Sequence, residues 1–330
     1  MTTSIVGSLI DFQVEELPKW RKNSTQVPSM GEMLKEIVKF QVKWKECKDS
    51  FDYGRVRKAY RQCLLHFIYH INVGEGHGCT TMEAIESCLD MLDVTLTSSQ
   101  LMRPESEQER KTLNIIQGYK FLLNMVEKPH FSAEIEELHG LLSVSLIQDA
   151  HKLILKDLPL PKNYTKPGVF SERERCVEYH GEWYSYQNPQ NMEESVQTLL
   201  DRYNDLMTHC VKEEKNSELR VSNMFKTCSW LLFELLDLHP FSDGNGRLCR
   251  LLCSYALSSM TPFPTPMYNV WSESSKDDYL EALVAARKSE TRHPTSVAAM
   301  MIECNYFGWK KFFDILEGAV DIDCKVKDVD

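Results

Sequence analysis

The sequence predicts an all-α protein interrupted by a single β-hairpin. Apolar residues return every three or four positions through most of the 330 residues, the spacing that gives a helix one buried face. Few glycines or prolines fall inside these periodic stretches, so little in them breaks a helical hydrogen-bond ladder. One segment, 159–189, departs from the pattern with four prolines and a cluster of aromatic residues. With 42% apolar and 26% charged residues the chain can bury a sizeable core, and its length suits one elaborated domain as well as two.

In chain order, helical periodicity runs over 33–45 and 56–71, the second stretch stopping at the glycine-rich NVGEGHG. Thr80 and Thr81 offer hydroxyl caps to a helix that starts MEAIESCLDML. The polar stretch 97–110 reads as a connection, followed by helices over 111–126 and 132–146. Within 176–187, Val177, Tyr179, Trp183, Tyr184 and Tyr186 favour strand, and Gly181-Glu182 suits a two-residue turn with glycine first. Helices resume over 193–207 and 218–238. Val221, Phe225, Cys228, Leu232 and Leu235 mark one face of the latter, which is apolar enough to be expected at the centre of the protein. Three more follow over 247–260, 277–289 and 295–316, and 321–330 reads as a polar tail.

Bulk properties exclude several classes of function. A formal net charge of -10 argues against nucleic acid as partner, because phosphate neutralisation needs clustered Lys and Arg. No run of eighteen apolar residues suggests a membrane span. Eleven scattered cysteines without paired C-x-x-C spacing fit reduced thiols, and the first twenty residues lack the basic start of a targeting leader. The expected setting is the cytoplasm.

The stretch LHPFSDGNGRLCRLL, 238–252, carries chemistry. Glycines at 244 and 246 free the backbone between two helices, so successive amide N–H groups can converge where the second helix begins, a natural anion site. Arg247 and Arg250, three apart on that helix, can reach further oxygens of the same polyphosphate. Asp243 beside these donors is a poor neighbour for bare phosphate but a sensible ligand for a Mg2+ bridging two phosphate groups. His239, before Pro240, titrates near neutral pH and is the candidate general base.

These residues resemble the signature of the Fic family, H-P-F-x-[DE]-G-N-G-R-x-x-R, whose nine fixed positions are filled by His239, Pro240, Phe241, Asp243, Gly244, Asn245, Gly246, Arg247 and Arg250. The resemblance implies a Fic fold, a helical bundle with a β-hairpin flap. It also implies a protein adenylyltransferase that moves AMP from ATP to a Ser, Thr or Tyr hydroxyl of a target protein. On that basis His239 takes the hydroxyl proton, Asp243 holds Mg2+, and Gly244, Asn245, Gly246, Arg247 and Arg250 hold ATP, while Phe241 is buried under the loop. The hairpin stands where Fic proteins carry the flap that presents the target by strand pairing, with Tyr179 and His180 near its turn as the flap contacts. INVGEGHG resembles the inhibitory segment of the subclass that carries it before the core. Glu75-Gly76 fits, Ile71 replaces the expected Ser or Thr, and Glu75 is expected to pair with Arg250, since a carboxylate at a helix C-terminus seeks a cation. Tyr279 and Leu283 resemble the pair near the nucleotide base, with Arg287 where many relatives place Asn.

The resulting organisation is an N-terminal helical segment over 1–50, a Fic domain with its preceding inhibitory helix over 51–315, and a polar tail over 316–330. The implied partners are the target protein, the nucleotide and a second copy of the chain. AMP removal by the same site, transfer of another phosphate-containing group, and nucleotide binding without turnover stay open. His66 and His70 share the spacing of metal ligands, and Cys249 and Cys253 likewise, but packing explains both pairs. Trp20 and Trp44 are expected to pack onto the main domain.

Overall fold

The computed structural model describes residues 7–21, 27–95, 104–124, 140–210, 214–268 and 274–318. Among them are ten α-helices and one two-stranded antiparallel sheet. The helices before the hairpin are α1 (Met30–Cys47), α2 (Tyr53–Glu75), α3 (Met82–Thr95), α4 (Glu107–Asn124) and α5 (Val144–Ile154). The hairpin is β1 (Cys176–Tyr179) and β2 (Glu182–Ser185). After it come α6 (Met192–Thr208), α7 (Ser217–Leu238), α8 (Asn245–Leu257), α9 (Lys276–Lys288) and α10 (Thr295–Glu317). No described helix is long and apolar enough to cross a membrane.

Local chemistry sets most of the boundaries. Ser29 and Glu32 close a capping box ahead of α1, and Ser275 with Asp278 does the same for α9, each satisfying amides that the first helical turn leaves unpaired. Asp52, Asn191 and Asn216 cap α2, α6 and α7, and the Thr81 hydroxyl accepts from the Ala84 amide at 3.3 Å. Helix α2 runs four residues past its expected end at 71 and includes Gly74, so Glu75 becomes the last helical residue instead of part of a loop.

Packing centres on α7, as its apolar pattern predicts. Val221, Phe225, Cys228, Leu232 and Leu235 are all buried, as are Trp230, Leu231 and Phe233 on its other sides. It touches α1, α6, α8 and α10. Helix α8 is buried throughout except at Gly246, clasped by α4, α5 and α7. The N-terminal segment joins the same core. Trp44 packs edge-on against Phe312 at 5.3 Å, the Trp20 indole N–H donates to Glu303 at 2.7 Å, and Arg21 forms a buried ion pair with Glu303 at 2.8 Å.

Two expectations are corrected. The helix placed over 132–146 instead spans Val144–Ile154 where the chain is described. Gly140 is left-handed at φ 88°, residues 140–143 are not helical, and Ser143 caps the helix that follows; residues 125–139 lie outside the described set. The hairpin turn sits one residue earlier than expected. Tyr179 pairs with Glu182, so the turn residues are His180 and Gly181, at φ 51° and 78°. Two positive φ values define a type I′ turn, whose twist matches the strands. The polar tail over 321–330 and residues 97–103 of the polar connection fall outside the described residues.

Candidate active site

The predicted motif forms the junction of α7 and α8. His239 ends α7 in the left-handed conformation at φ 48°, which turns its side chain out of the helical path. Its Nδ1 lies 3.3 Å from the Leu236 carbonyl. A carbonyl can only accept, so Nδ1 carries the proton and Nε2 presents a lone pair. The ring stacks on Tyr186 at 3.8 Å between centroids. Burial pushes the imidazole down to about 4, so it is neutral at pH 7.

Beyond it the loop is rigidly held. Phe241 is fully buried, and Asn245 bonds it twice, accepting from the Phe241 amide at 3.0 Å and donating to its carbonyl at 2.8 Å. The Asn245 side chain therefore braces its own loop through one accepted and one donated hydrogen bond. Gly244 adopts φ 78°, a conformation a side chain would strain, and α8 starts immediately after it, at Asn245. The amides of the first turn of α8 are thus left for an outside acceptor. Asp243 accepts from the Gly244 amide at 2.6 Å and pairs with Arg247 at 3.0 Å through the same oxygen, Oδ1. Burial would raise its carboxyl, but Arg247 and the Gly244 amide hold it below the ordinary range.

Glu75 reaches this junction from the end of α2. Its Oε1 accepts a hydrogen bond and ion pair from Arg250 Nη1. Burial works against its charge, yet Arg250 and then Arg247 keep the carboxyl below its usual value. Arg250 also donates to the Tyr268 hydroxyl at 3.3 Å and lies over the rings of Tyr268 and Tyr279. Its Nε is buried without a hydrogen-bond partner. A cavity of about 390 Å³ collects Glu75, His239, Gly246, Arg250 and Tyr279, with Tyr179 and Tyr184 of the hairpin and Leu280, Leu283 and Arg287 of α9. The cavity thus collects candidates from four separate stretches of chain, while Asp243, Gly244, Asn245, Arg247 and His180 are not among its lining residues. His180 is exposed at the hairpin tip, its ring edge-on to Tyr179 at 4.1 Å.

The Fic/DOC family model matches residues 141–257, which hold the whole junction and the hairpin. The chain carries a Fic domain. A Fido domain-containing protein of Dictyostelium discoideum is 27% identical over 135 residues, 40% of this chain and 84% of that protein. The fold extends further. A Fic domain containing signaling protein from Bacteroides thetaiotaomicron superposes with a TM-score of 0.63 at 17% identity, covering 87% of this chain and 97% of that one. Fic-1 from C. elegans superposes with a TM-score of 0.60 at 16% identity, covering 88% and 74%. The Fic family as a whole modifies proteins by nucleotidyl transfer.

Sequence reasoning missed one buttress of the Fic loop. His151, on α5, is buried and stacks on Phe241 with centroids 3.8 Å apart. Its Nδ1 accepts from the Gly168 amide at 2.8 Å, so Nε2 carries the proton donated to the Asp243 carbonyl at 2.9 Å. One imidazole thus ties α5, the segment before the hairpin and the Fic loop together. The only signal was a histidine among the apolar repeats of a helix whose limits were misplaced. We expect His151→Ala to lower the unfolding free energy by about 2–4 kcal/mol, through the cavity under Phe241 and two unpaired backbone groups; urea denaturation checks it.

Acid stability follows from the same burial. His66, His151 and His239 are each pushed by burial down to about 4, and His70 to about 3. The unfolded chain binds those protons near pH 6.5 and the folded one only near pH 4 or below. Stability is therefore intact above pH 6.5 and falls as the pH drops below it, by about 2 kcal/mol per histidine at pH 5. Four such groups rival a whole domain's stability. Circular dichroism should show acid unfolding beginning between pH 6 and 5.

Proposed function

We propose that this protein is a protein adenylyltransferase, moving AMP from ATP to a Ser, Thr or Tyr hydroxyl of a target protein, and that Glu75 restrains it. One observation carries the proposal: a neutral His239 with Nε2 free shares a cavity with Arg250 and the open N-terminus of α8. His239 Nε2 accepts the proton of the target hydroxyl as its oxygen bonds to the α-phosphorus. The bond from that phosphorus to the bridging oxygen breaks in line, and pyrophosphate leaves with the electron pair. The first-turn amides of α8, Arg247 and Arg250 orient the phosphates, Tyr279 and the apolar side chains of α9 flank the base, and the flap with Tyr179 and His180 receives the target.

Among the described residues there is no cluster of three or more metal-ligating side chains. Mg2+ bound chiefly by phosphates and water needs only one or two carboxylates. Asp243 suits that part, being half-exposed with its hydrogen bonds confined to Oδ1. When bound, Mg2+ would neutralise charge on the phosphates, with Asp243 holding it. Residues 51–315 would form the catalytic unit, against which Trp20, Arg21 and Trp44 of the N-terminal segment pack. A cytoplasmic setting agrees with the ten described cysteines, none of which forms a disulfide.

The test is intact-mass analysis after incubation with Mg2+ and ATP, comparing wild type, Glu75→Gly and His239→Ala. Gain of one AMP mass by Glu75→Gly, weaker in wild type and absent in His239→Ala, supports the proposal. The same gain in His239→Ala overturns it.

A further inference from the structure

Two residues before His239, in the last turn of α7, lies Asp237, a buried carboxylate that the motif does not explain. A negative charge is unfavourable at a helix C-terminus, where carbonyls already point outward. It is nevertheless kept, and its partners come from three places. Arg287 of α9 pairs through Nε with Oδ1 at 3.2 Å. Arg292, in the turn between α9 and α10, pairs with Oδ2 at 2.8 Å. Gln187, just after β2, donates from Nε2 to Oδ2, also at 2.8 Å.

The surroundings extend these ties to the flap and the cavity wall. The Arg287 guanidinium also donates to the Ser185 carbonyl on β2, lies over the Tyr184 ring and lines the cavity. The Gln187 amide donates to the Asp237 carbonyl at 3.2 Å, and the Tyr186 amide to the Arg175 carbonyl at 2.9 Å. Arg175 returns a hydrogen bond to the Leu238 carbonyl at 3.1 Å. Tyr186, between the two straps, is the residue stacked on His239. Arg292 makes its contact from a left-handed backbone at φ 56°, a conformation that is unfavourable for a non-glycine residue. That strain is offset by pairing with both Asp237 and Glu234.

We propose that Asp237 is a positioning residue, whose carboxylate fastens the flap and the α9 wall of the cavity to the helix end that carries His239. The flap that would receive the target and the helix that would flank the nucleotide are then held to the general base by one side chain. Rearrangement of either is felt at the imidazole through Tyr186 and the final turn of α7. The inference rests on the proposed transferase reaction only for its kinetic consequence. The structural consequence stands alone.

The experiment uses the full chain in the Glu75→Gly background, comparing Asp237→Asn with Asp90→Asn, which removes the partly exposed Arg61–Asp90 pair. Asparagine keeps the shape of Asp237 and removes the charge, leaving Arg287 without its anion and Arg292 with Glu234 alone. Hydrogen exchange of residues 176–187 should accelerate at least tenfold in Asp237→Asn and stay within twofold in Asp90→Asn. In transfer assays kcat should fall at least tenfold, with KM for ATP within threefold. A merely structural role would raise exchange across the whole protein instead of at the flap and the end of α7. Should Asp237→Asn fail to fold, Arg287→Gln, which cuts only the α9 arm, should accelerate flap exchange in the same way. If no variant transfers AMP, exchange alone decides. Flap exchange within twofold of the background in both variants overturns the proposal.

Discussion

His239→Ala is expected to reduce nucleotidyl transfer at least about a hundredfold, the usual minimum for loss of a general base, while nucleotide binding changes little. The side chain touches neither Arg250 nor the amides of α8, so its removal takes away proton acceptance and leaves the phosphate site intact. A substitution at φ 48° could also disturb the junction, because alanine is strained in that conformation. His239→Asn separates the two effects, since asparagine tolerates left-handed backbone but cannot serve as a base. Both variants should lose transfer alike, and only the alanine should lose stability. The wild-type pH profile adds a second check. A base held near pH 4 by burial stays deprotonated well below the ordinary range for histidine, so the rate should show no loss from His239 protonation between pH 7 and 6, before acid unfolding begins. Transfer by His239→Asn within tenfold of wild type would remove the imidazole from the mechanism.

Much of the site was legible because its chemistry is local. A base, a carboxylate, two glycines and two arginines within twelve residues predict a helix start suited to an anion on spacing alone, and the structure begins α8 at Asn245, directly after Gly244. Helix α7 was legible for a similar reason, since its burial follows from its own pattern. What stayed hidden depends on distant chain. His151 matters only because Gly168 and Asp243 arrive beside it from elsewhere, and its helix was misread because Gly140 and Ser143 end one pattern and start another within four residues. The hydrogen bonds from Asn245 back to Phe241 leave no trace in residue type. Similarly, Asp237 read as one more polar residue on an apolar helix, and nothing in sequence marked the two arginines that neutralise it. The hairpin register slipped by one because His180 is an unusual choice for a positive φ, so the glycine next to it was taken for the first turn residue.

Glu75→Gly is expected to raise both ATP affinity and transfer by at least tenfold. In the wild type the Arg250 guanidinium is already engaged by Glu75, so under the proposed reaction phosphate would have to displace that carboxylate. Competition of that kind weakens ground-state binding and misplaces whatever phosphate does enter. Removing the carboxylate has a cost, because a buried charge that loses its partner destabilises the fold by up to about 3–5 kcal/mol. Tyr268 and the ring of Tyr279 remain to hold Arg250, so the loss should fall below that range. ATP should then stabilise the variant more than wild type, and differential scanning fluorimetry reads that difference without relying on catalysis. Acid should not mimic the mutation. The folded-state pKa of Glu75 lies below its unfolded value, so the pair is complete above the unfolded pKa and is lost only as the pH falls through the folded one; between pH 7 and 6, before acid unfolding begins, the wild type should stay restrained. Gly246 shows how closely the seat is built, since a Cβ there would lie 2.7 Å from Glu75 Oε1 and 3.1 Å from Arg250 Nη1. The missing side chain at Gly246 admits the Glu75 carboxylate, so under the proposed reaction phosphate and Glu75 would compete for one space as well as one cation. Equal ATP affinity and equal transfer in wild type and Glu75→Gly would show that the pair is structural and not a restraint.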